Sequence, residues 1–279
     1  MPRAYLTTPG NNAVQYWPRP DDWNPNDNTV EVIGAGFLGG IQGFAPRMAP
    51  HEAGAPAPRA ITYGGGGGGG GAYAKGVNLD PTFPVPCIIA SGSSYGSAGY
   101  HSGFNITTPT PTYAPGMVVA RNGDPAGSYS GLGGQGGPAF YPTGFKGGNG
   151  GNAPNQSDGK GAGGGGAGGP NGAGSNGGNS TSAAGGTGGA ADGGTVAGSA
   201  AREDGRSGQE WDMSHGCGAG GGGLTGGVPV QGLTGLGGKY GGGGGGSTSG
   251  TNQPGSGGDA LIIITWTSLP PVPRALILT

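Results

Sequence analysis

Runs of glycine framed by two apolar β segments constrain this chain more than any other feature of it. Glycine fills every position from Gly64 to Gly71 and from Gly241 to Gly246, and looser GG-x repeats run from Gly131 to Gly258. The frame is Thr29-Val30-Glu31-Val32-Ile33 near the start and Leu261-Ile262-Ile263-Ile264-Thr265-Trp266 near the end. Glycine loses more backbone freedom on ordering than any other residue and brings no side chain to bury. With 76 glycines in 279 residues, the chain is either a disordered linker or an array of backbones packed as closely as glycine alone permits. A linker has no use for apolar bookends. The sequence therefore predicts the array, with a structural and adhesive role in place of an enzymatic one.

Composition narrows the choice further. Apolar residues make up 32% and charged residues 9% of the chain, against about 45–50% and about 25% in ordinary soluble domains. A conventional two-layer core cannot be built from the whole length. A net charge of −2 gives no electrostatic attraction to nucleic acid or to an anionic membrane. Disorder is opposed by ten Tyr, six Phe and four Trp spread along the chain. Cys87 and Cys217 could form one bridge or remain two thiols. The start, Met1-Pro2-Arg3-Ala4-Tyr5, lacks the apolar stretch of a signal peptide, and the run Ala260 to Ile264 is far too short to span a bilayer. The expectation is a soluble protein made inside a cell, without membrane insertion, that reaches the outside by lysis or within a larger particle.

Four stretches follow. Residues 1–27, rich in Pro, Asn and Asp, read as an irregular docking arm with Tyr16, Trp17 and Trp23 as anchors. Residues 28–122 read as a β-rich part containing the first glycine run. Strands are expected at Thr29 to Ile33, Ala72 to Leu79, Val85 to Ala90 and Met117 to Ala120, the third confined to an edge by its prolines. Residues 123–267 form the glycine-rich region closed by a β-strand, and 268–279 are a tail. No window shows capped helical periodicity, so essentially no α-helix is expected. The GG-x register lacks the strict G-X-Y repeat of collagen. It suits polyglycine in the polyproline-II conformation, three residues per turn, whose backbone groups must bond to neighbouring helices. The fold class is thus all-β and irregular, a strand frame around a polyglycine-II array.

Motifs that suggest chemistry fail on inspection. Gly34-Ala35-Gly36-Phe37-Leu38-Gly39 follows a strand as a dinucleotide fingerprint would, but Pro46, Pro50, Pro56 and Pro58 forbid the helix that must come next. Gly237-Gly238-Lys239-Tyr240 puts Tyr where a P-loop needs Ser or Thr. His215 and Cys217, near Glu210 and Asp212, fall short of a structural zinc set, since three His and two Cys exist in all. A loose calcium site from Asp204, Glu210 and Asp212 is a remote alternative. Gly127-Ser128-Tyr129-Ser130-Gly131 puts Tyr where a nucleophile elbow needs Ser, and no RGG cluster occurs. No catalytic residue, metal or cofactor is assigned. The aromatics that punctuate the loops either pack over glycine or stack on sugar rings.

Several segments resemble glycine-rich virion proteins of tailed phages and prophages. Trp17-Pro18-Arg19-Pro20-Asp21-Asp22-Trp23-Asn24 and then Asn28 to Gly36 resemble the family's opening strand. The run Gly64 to Gly71 followed by Ala72-Tyr73-Ala74-Lys75 is similar to its first tract, and Gly257 to Trp266 resembles its closing strand. The likeness covers roughly residues 17–267, with departures at Pro81, Pro84 and Pro86 and in the glycine-poor stretch 36–60. It implies a tail fibre, tail tip or head spike on the exposed surface of a virion, with polyglycine-II helices carrying host-specific loops. Its partners would be other virion proteins, further copies of itself and host-surface polysaccharide. The loops 93–105 and 202–217 are the expected contacts. With neighbouring aromatics they give Tyr95, Tyr100, His101, Phe140, Tyr141, Arg202, Arg206, Trp211 and Tyr240 as candidate receptor residues. A decoration protein without a receptor is the alternative.

Overall fold

The computed structural model describes residues 1–7, 13–41, 43–45, 61–92, 100–127, 131–139, 141–153, 160–201, 205, 216–224, 235–248 and 254–270. Among these the only helical element is a single 3-10 turn at Asp192–Gly194. The rest is strand or extended backbone joined by turns.

Two antiparallel sheets face each other. The strands in chain order are β1 (Arg3–Thr7), β2 (Val14–Trp17), β3 (Asn28–Ile33), β4 (Gly43–Ala45), β5 (Ile61–Tyr63), β6 (Tyr73–Val77), β7 (Val85–Ile88), β8 (His101–Phe104), β9 (Val118–Arg121), β10 (Thr143–Phe145) and β11 (Leu261–Trp266). A five-stranded sheet runs β1-β11-β3-β6-β10, a four-stranded one runs β2-β7-β8-β9, and β4 pairs only with β5. The two bookend segments seen in the sequence lie side by side, with Ile262 opposite Val32 and Ile264 opposite Val30.

Burial on both faces explains why β11 reads as a continuous apolar run instead of an alternating one. Val30, Val32, Ile262 and Ile264 point toward the four-stranded sheet and pack with Val85, Cys87, Phe104 and Val118. Ile33, Tyr73, Leu261 and Ile263 pack on the opposite side against Ala167, Ala191, Val196, Cys217 and Ala219 of the glycine-rich region. The buried carboxylate of Glu31 accepts the Tyr73 hydroxyl on that side.

Three expectations are corrected here. Residues 1–27 are no separate arm, because β1 and β2 are edge strands of the two sheets. Trp17 and Trp23, 8% and 1% exposed, belong to the core between the sheets and are unavailable for docking. They form an aromatic nest with Trp266 and Phe83, with ring centroids 5.4 to 6.0 Å apart. Such rings remove more area from water than any other side chains in a chain short of apolar residues. Lastly, β7 is internal, not an edge. Its pairing with β8 covers only Cys87 and Ile88, so the N–H missing at Pro86 interrupts nothing on that side. Tyr16 of β2 stays 64% exposed.

Beyond the sheets the chain continues as extended segments that bond to one another every third residue. The N–H groups of Gly34, Phe37 and Gly40 donate to the carbonyls of Ala72, Gly69 and Gly66. Those of Ala162, Gly165 and Gly168 donate to Gly65, Gly68 and Gly71. Within 64–72, successive groups turn to different neighbours. Gly68 and Gly71 donate to Gly244 and Gly241, Gly67 and Gly70 to Gly151 and Gly148, and Gly69 and Ala72 to Asp124 and Arg121. Counting the acceptors Gly66, Gly67 and Gly65, which serve Gly40, Gly134 and Ala162, this central segment is ringed by 34–40, 122–124, 131–137, 147–153, 160–168 and 241–247.

Space, not handedness, demands glycine in that position. Gly64 to Gly71 all keep φ out of the positive range. A Cβ at Gly67 or Gly69 would sit within 3.0 Å of the backbone of Gly163 or Gln135, too close for any side chain.

The array also has an exposed flank, and asparagine closes it. Gly133 and Gly136 donate their N–H groups to Oδ1 of Asn152 and Asn149, both at 2.8 Å. The N–H groups of Asn149 and Asn152 in turn donate to Oδ1 of Asn176 and Asn179, at 2.9 and 2.7 Å. Side-chain amides thus replace the backbone carbonyls that a further segment would supply.

These two environments respond differently to substitution. Gly69→Ala is expected to lose about 1–3 kcal/mol or more through overpacking. Asn149→Ala removes one partly exposed hydrogen bond and is expected to lose about 1 kcal/mol. Urea unfolding followed by tryptophan fluorescence checks both. Equal losses at the two positions would contradict the close-packed arrangement.

Candidate functional site

The register of β8 against β9 places His101 opposite Arg121 at one edge of the four-stranded sheet. Tyr100 immediately precedes β8, and its carbonyl accepts the N–H of Asn122 at 3.1 Å. The carbonyl of Tyr141 accepts the N–H of Val119 at 2.9 Å, which carries that tyrosine alongside β9. The loop after β8 returns Tyr113, whose ring lies 6.0 Å from that of Tyr141 at an interplanar angle of 27° and edge-on to His101 at 6.2 Å. His101, Tyr113, Arg121 and Tyr141 therefore converge on one sheet edge, with the backbone of Tyr100 alongside.

Hydrogen bonding fixes the state of His101. Its Nδ1 lies 2.9 Å from the carbonyl oxygen of Pro109, which can only accept, so Nδ1 carries the proton. In the neutral ring Nε2 is then an acceptor, and the Tyr113 hydroxyl donates to it at 3.1 Å. Burial holds the His101 pKa below its ordinary value of 6.5, against the Pro109 contact, and the Arg121 charge pushes the same way as burial. The Tyr113 hydroxyl is shifted upward by burial and so stays protonated at neutral pH. Arg121 reaches both carboxylate oxygens of Asp124 at 3.4 Å on a partly exposed surface.

The site joins a buried polar link to the glycine array. The N–H of Ala90 donates to Ser102 Oγ at 3.1 Å, Ser102 donates to Asn122 Oδ1 at 3.1 Å, and the N–H of Ala35 donates to that same oxygen at 2.9 Å. Strand ends and array segments are thus held in register directly behind the aromatic edge.

Of the residues singled out from the sequence, His101 and Tyr141 are brought together through Tyr113, and Tyr100 joins the strand edge by its backbone carbonyl. His101 is 8% exposed, so it supports the site from behind and is not a surface contact. Tyr240 is elsewhere and half-buried on the outer face of the five-stranded sheet, packed with the Ile33 and Tyr73 cluster. Tyr95, Phe140, Arg202, Arg206 and Trp211 lie outside the described residues. Arg121 and Tyr113 are not singled out by the sequence. Nothing in their spacing announces them, because only the hairpin register brings 121 beside 101.

Other chemistry that the sequence suggested finds a packing explanation. Cβ atoms at Gly36 and Gly39 would meet the backbones of Gly242 and Gly245, so the fingerprint glycines serve the array. Cys87 and Cys217 lie in different clusters, and no bridge joins them. Burial pushes the Cys87 thiol up to about 12, which leaves it unreactive. Among the described residues no three His, Cys, Asp or Glu side chains gather as a metal site, and no helix is long and apolar enough to cross a membrane.

No protein-family model matches the chain, and no curated protein is significantly similar to it.

A pH dependence of stability follows from His101. Its pKa is lower in the folded chain than in the unfolded one, so the unfolded chain takes up the proton first as pH falls. The stability tied to neutral His101 is complete above pH 6.5 and is lost as pH drops through the folded value. His101→Gln, which cannot titrate, is expected to flatten this part of the profile. Thermal melts across the range below pH 6.5 check it, and an unchanged slope in the variant would contradict the assignment.

Proposed function

We propose that this chain is a phage-type virion surface protein, a fibre or spike component, that attaches to host-surface polysaccharide. Its extended glycine segments are polyglycine-II helices, and they act as the rigid scaffold. The observation that carries the adhesive reading is the aromatic edge, where Tyr113 and Tyr141 stack at a partly exposed surface near Arg121. Flat rings with polar tips suit sugar faces, which offer C–H groups to stack on and hydroxyls to bond. The three-residue hydrogen-bond period supports the scaffold reading, since polyproline-II geometry repeats every three residues and has no internal hydrogen bonds. Weak single contacts gain from repetition when many copies stand on one particle.

Attachment to other virion proteins is a separate requirement. Tyr16, exposed on the edge strand β2, is the one residue of the expected docking set that remains available for it. A decoration protein without a receptor would use that same surface and leave the aromatic edge idle.

Purified protein is expected to sediment with intact host cells and to lose that binding when their surface polysaccharide is stripped. Tyr113→Ala with Tyr141→Ala is expected to weaken binding at least tenfold while leaving the circular dichroism spectrum unchanged. Failure to bind cells in either state would favour the decoration reading.

A further inference from the structure

We propose that the asparagines on the flank of the glycine array are self-modification sites. In the unfolded chain Asn149 and Asn176 convert to isoaspartate through attack by their own backbone, and assembly of the array shuts that reaction off. The chemistry needs no receptor and is independent of attachment.

The sequence supplies both reacting groups. Asparagine is followed directly by glycine at four places, Asn122-Gly123, Asn149-Gly150, Asn171-Gly172 and Asn176-Gly177. With no Cβ on the following residue, its main-chain nitrogen reaches the asparagine carboxamide unhindered. That nitrogen, once base has taken its proton, attacks Cγ. An N–Cγ bond forms, the Cγ–Nδ2 bond breaks and ammonia leaves, which closes a five-membered succinimide. Water then opens the ring at either carbonyl. One opening gives aspartate, and the other gives isoaspartate, in which the main chain runs through Cβ and Cγ.

The fold keeps the two groups apart. Each of the four attacking N–H groups is donated to a carbonyl, Gly123 to Ala35 at 2.9 Å, Gly150 to Gly134 at 2.8 Å, Gly172 to Gly169 at 3.1 Å and Gly177 to Asn149 at 2.8 Å. The carboxamides are held as well. Oδ1 of Asn149 accepts the N–H of Gly136 at 2.8 Å, and Oδ1 of Asn176 accepts the N–H of Asn149 at 2.9 Å. Asn122 Oδ1 accepts the N–H of Ala35 at 2.9 Å, and Asn171 Nδ2 donates to the Asp192 carboxylate at 2.7 Å. Asn122 is fully buried, whereas Asn149 and Asn176 are exposed. Water and base therefore reach the flank, and its protection comes from bonding instead of burial. At Asn149 both restraining bonds run to the segment 131–137, and at Asn176 both run to Asn149 itself. Attack at either site requires two adjacent segments to separate.

The two products differ in what they do to the array. Asn149 is bonded through its side chain, its N–H and its carbonyl, to Gly136, Asn176 and Gly177. Aspartate keeps an oxygen where Oδ1 stood and leaves the main chain unchanged. Isoaspartate lengthens the main chain by one atom and puts the three-residue period out of step beyond that point. A chain that lingers unfolded is thus disabled at residues its fold requires, and a chain that has folded is guarded at the same residues.

The test uses the full chain, held at pH 8.5 and 37 °C in native buffer and in guanidinium chloride above its unfolding midpoint. Peptide mapping with electron-transfer fragmentation follows aspartate and isoaspartate at each site. Deamidation at Asn149 and Asn176 is expected to be slower by about tenfold or more in the native protein, because it then proceeds only through local opening. In the unfolded chain these two should outpace Asn152 and Asn179, which precede Ala153 and Ser180. Partly aged unfolded chain is then returned to native buffer and fractionated by size exclusion. Isoaspartate at 149 and 176 is expected to be depleted from the folded peak and enriched in the material that fails to refold. Equal rates at 149 and 176 in the two states would overturn the inference. So would isoaspartate at these positions in the folded peak in proportion to its abundance.

Discussion

Contact between backbones with no side chain between them is the constraint on which the rest of the molecule depends. From Gly67 to Gly71 successive amides turn to different neighbours, and the ring of surrounding segments leaves no room for a Cβ at any position from Gly64 to Gly71. The usual order of folding terms is inverted there. Hydrogen bonds that elsewhere merely balance those lost to water must be nearly complete, because little apolar burial is present to offset a deficit. The asparagine pairs at 149, 152, 176 and 179 follow from the same demand. A surface segment has outward N–H groups, and a short side-chain amide is the simplest acceptor that fits at a three-residue spacing.

Such an array does not nucleate readily by itself, since ordering glycine costs more than ordering any other residue. The sheets supply what it lacks. Strand β3 leads directly into 34–40, 64–72 leads into β6, and 254–260 leads into β11, so paired strands set the register of three segments at once. The apolar outer face of the five-stranded sheet then holds Ala167, Ala191 and Ala219 against it. Asn122 and Ser102 tie the second sheet into the same junction.

Much of this was legible in the residues. The bookends paired as strands, no α-helix occurs among the described residues, and a glycine array needing backbone partners was the stated alternative to disorder. What misled was polarity near the start. Pro, Asn and Asp around Trp17 and Trp23 suggested a loose arm, whereas those prolines and turns deliver two tryptophans into the core. Asp22 then accepts the indole N–H of Trp266 at 3.1 Å and closes the turn onto the last strand. The aromatic edge was half legible. Tyr100, His101 and Tyr141 were marked by residue type, but the partnership with Tyr113 and Arg121 depends on hairpin register and on a loop carbonyl at Pro109. Neither leaves a trace in spacing.

The glycine array has a thermal consequence. Exposing apolar surface raises the heat capacity of a protein, and exposing amide surface lowers it. A molecule that buries mainly peptide groups therefore unfolds with a smaller heat-capacity increment than a hydrocarbon-cored domain of equal length. Its stability curve is correspondingly shallow, and cooling withdraws less of its support than it would from a conventional core. Between warm and cold surroundings its shape is thus held by interactions that change little along the way.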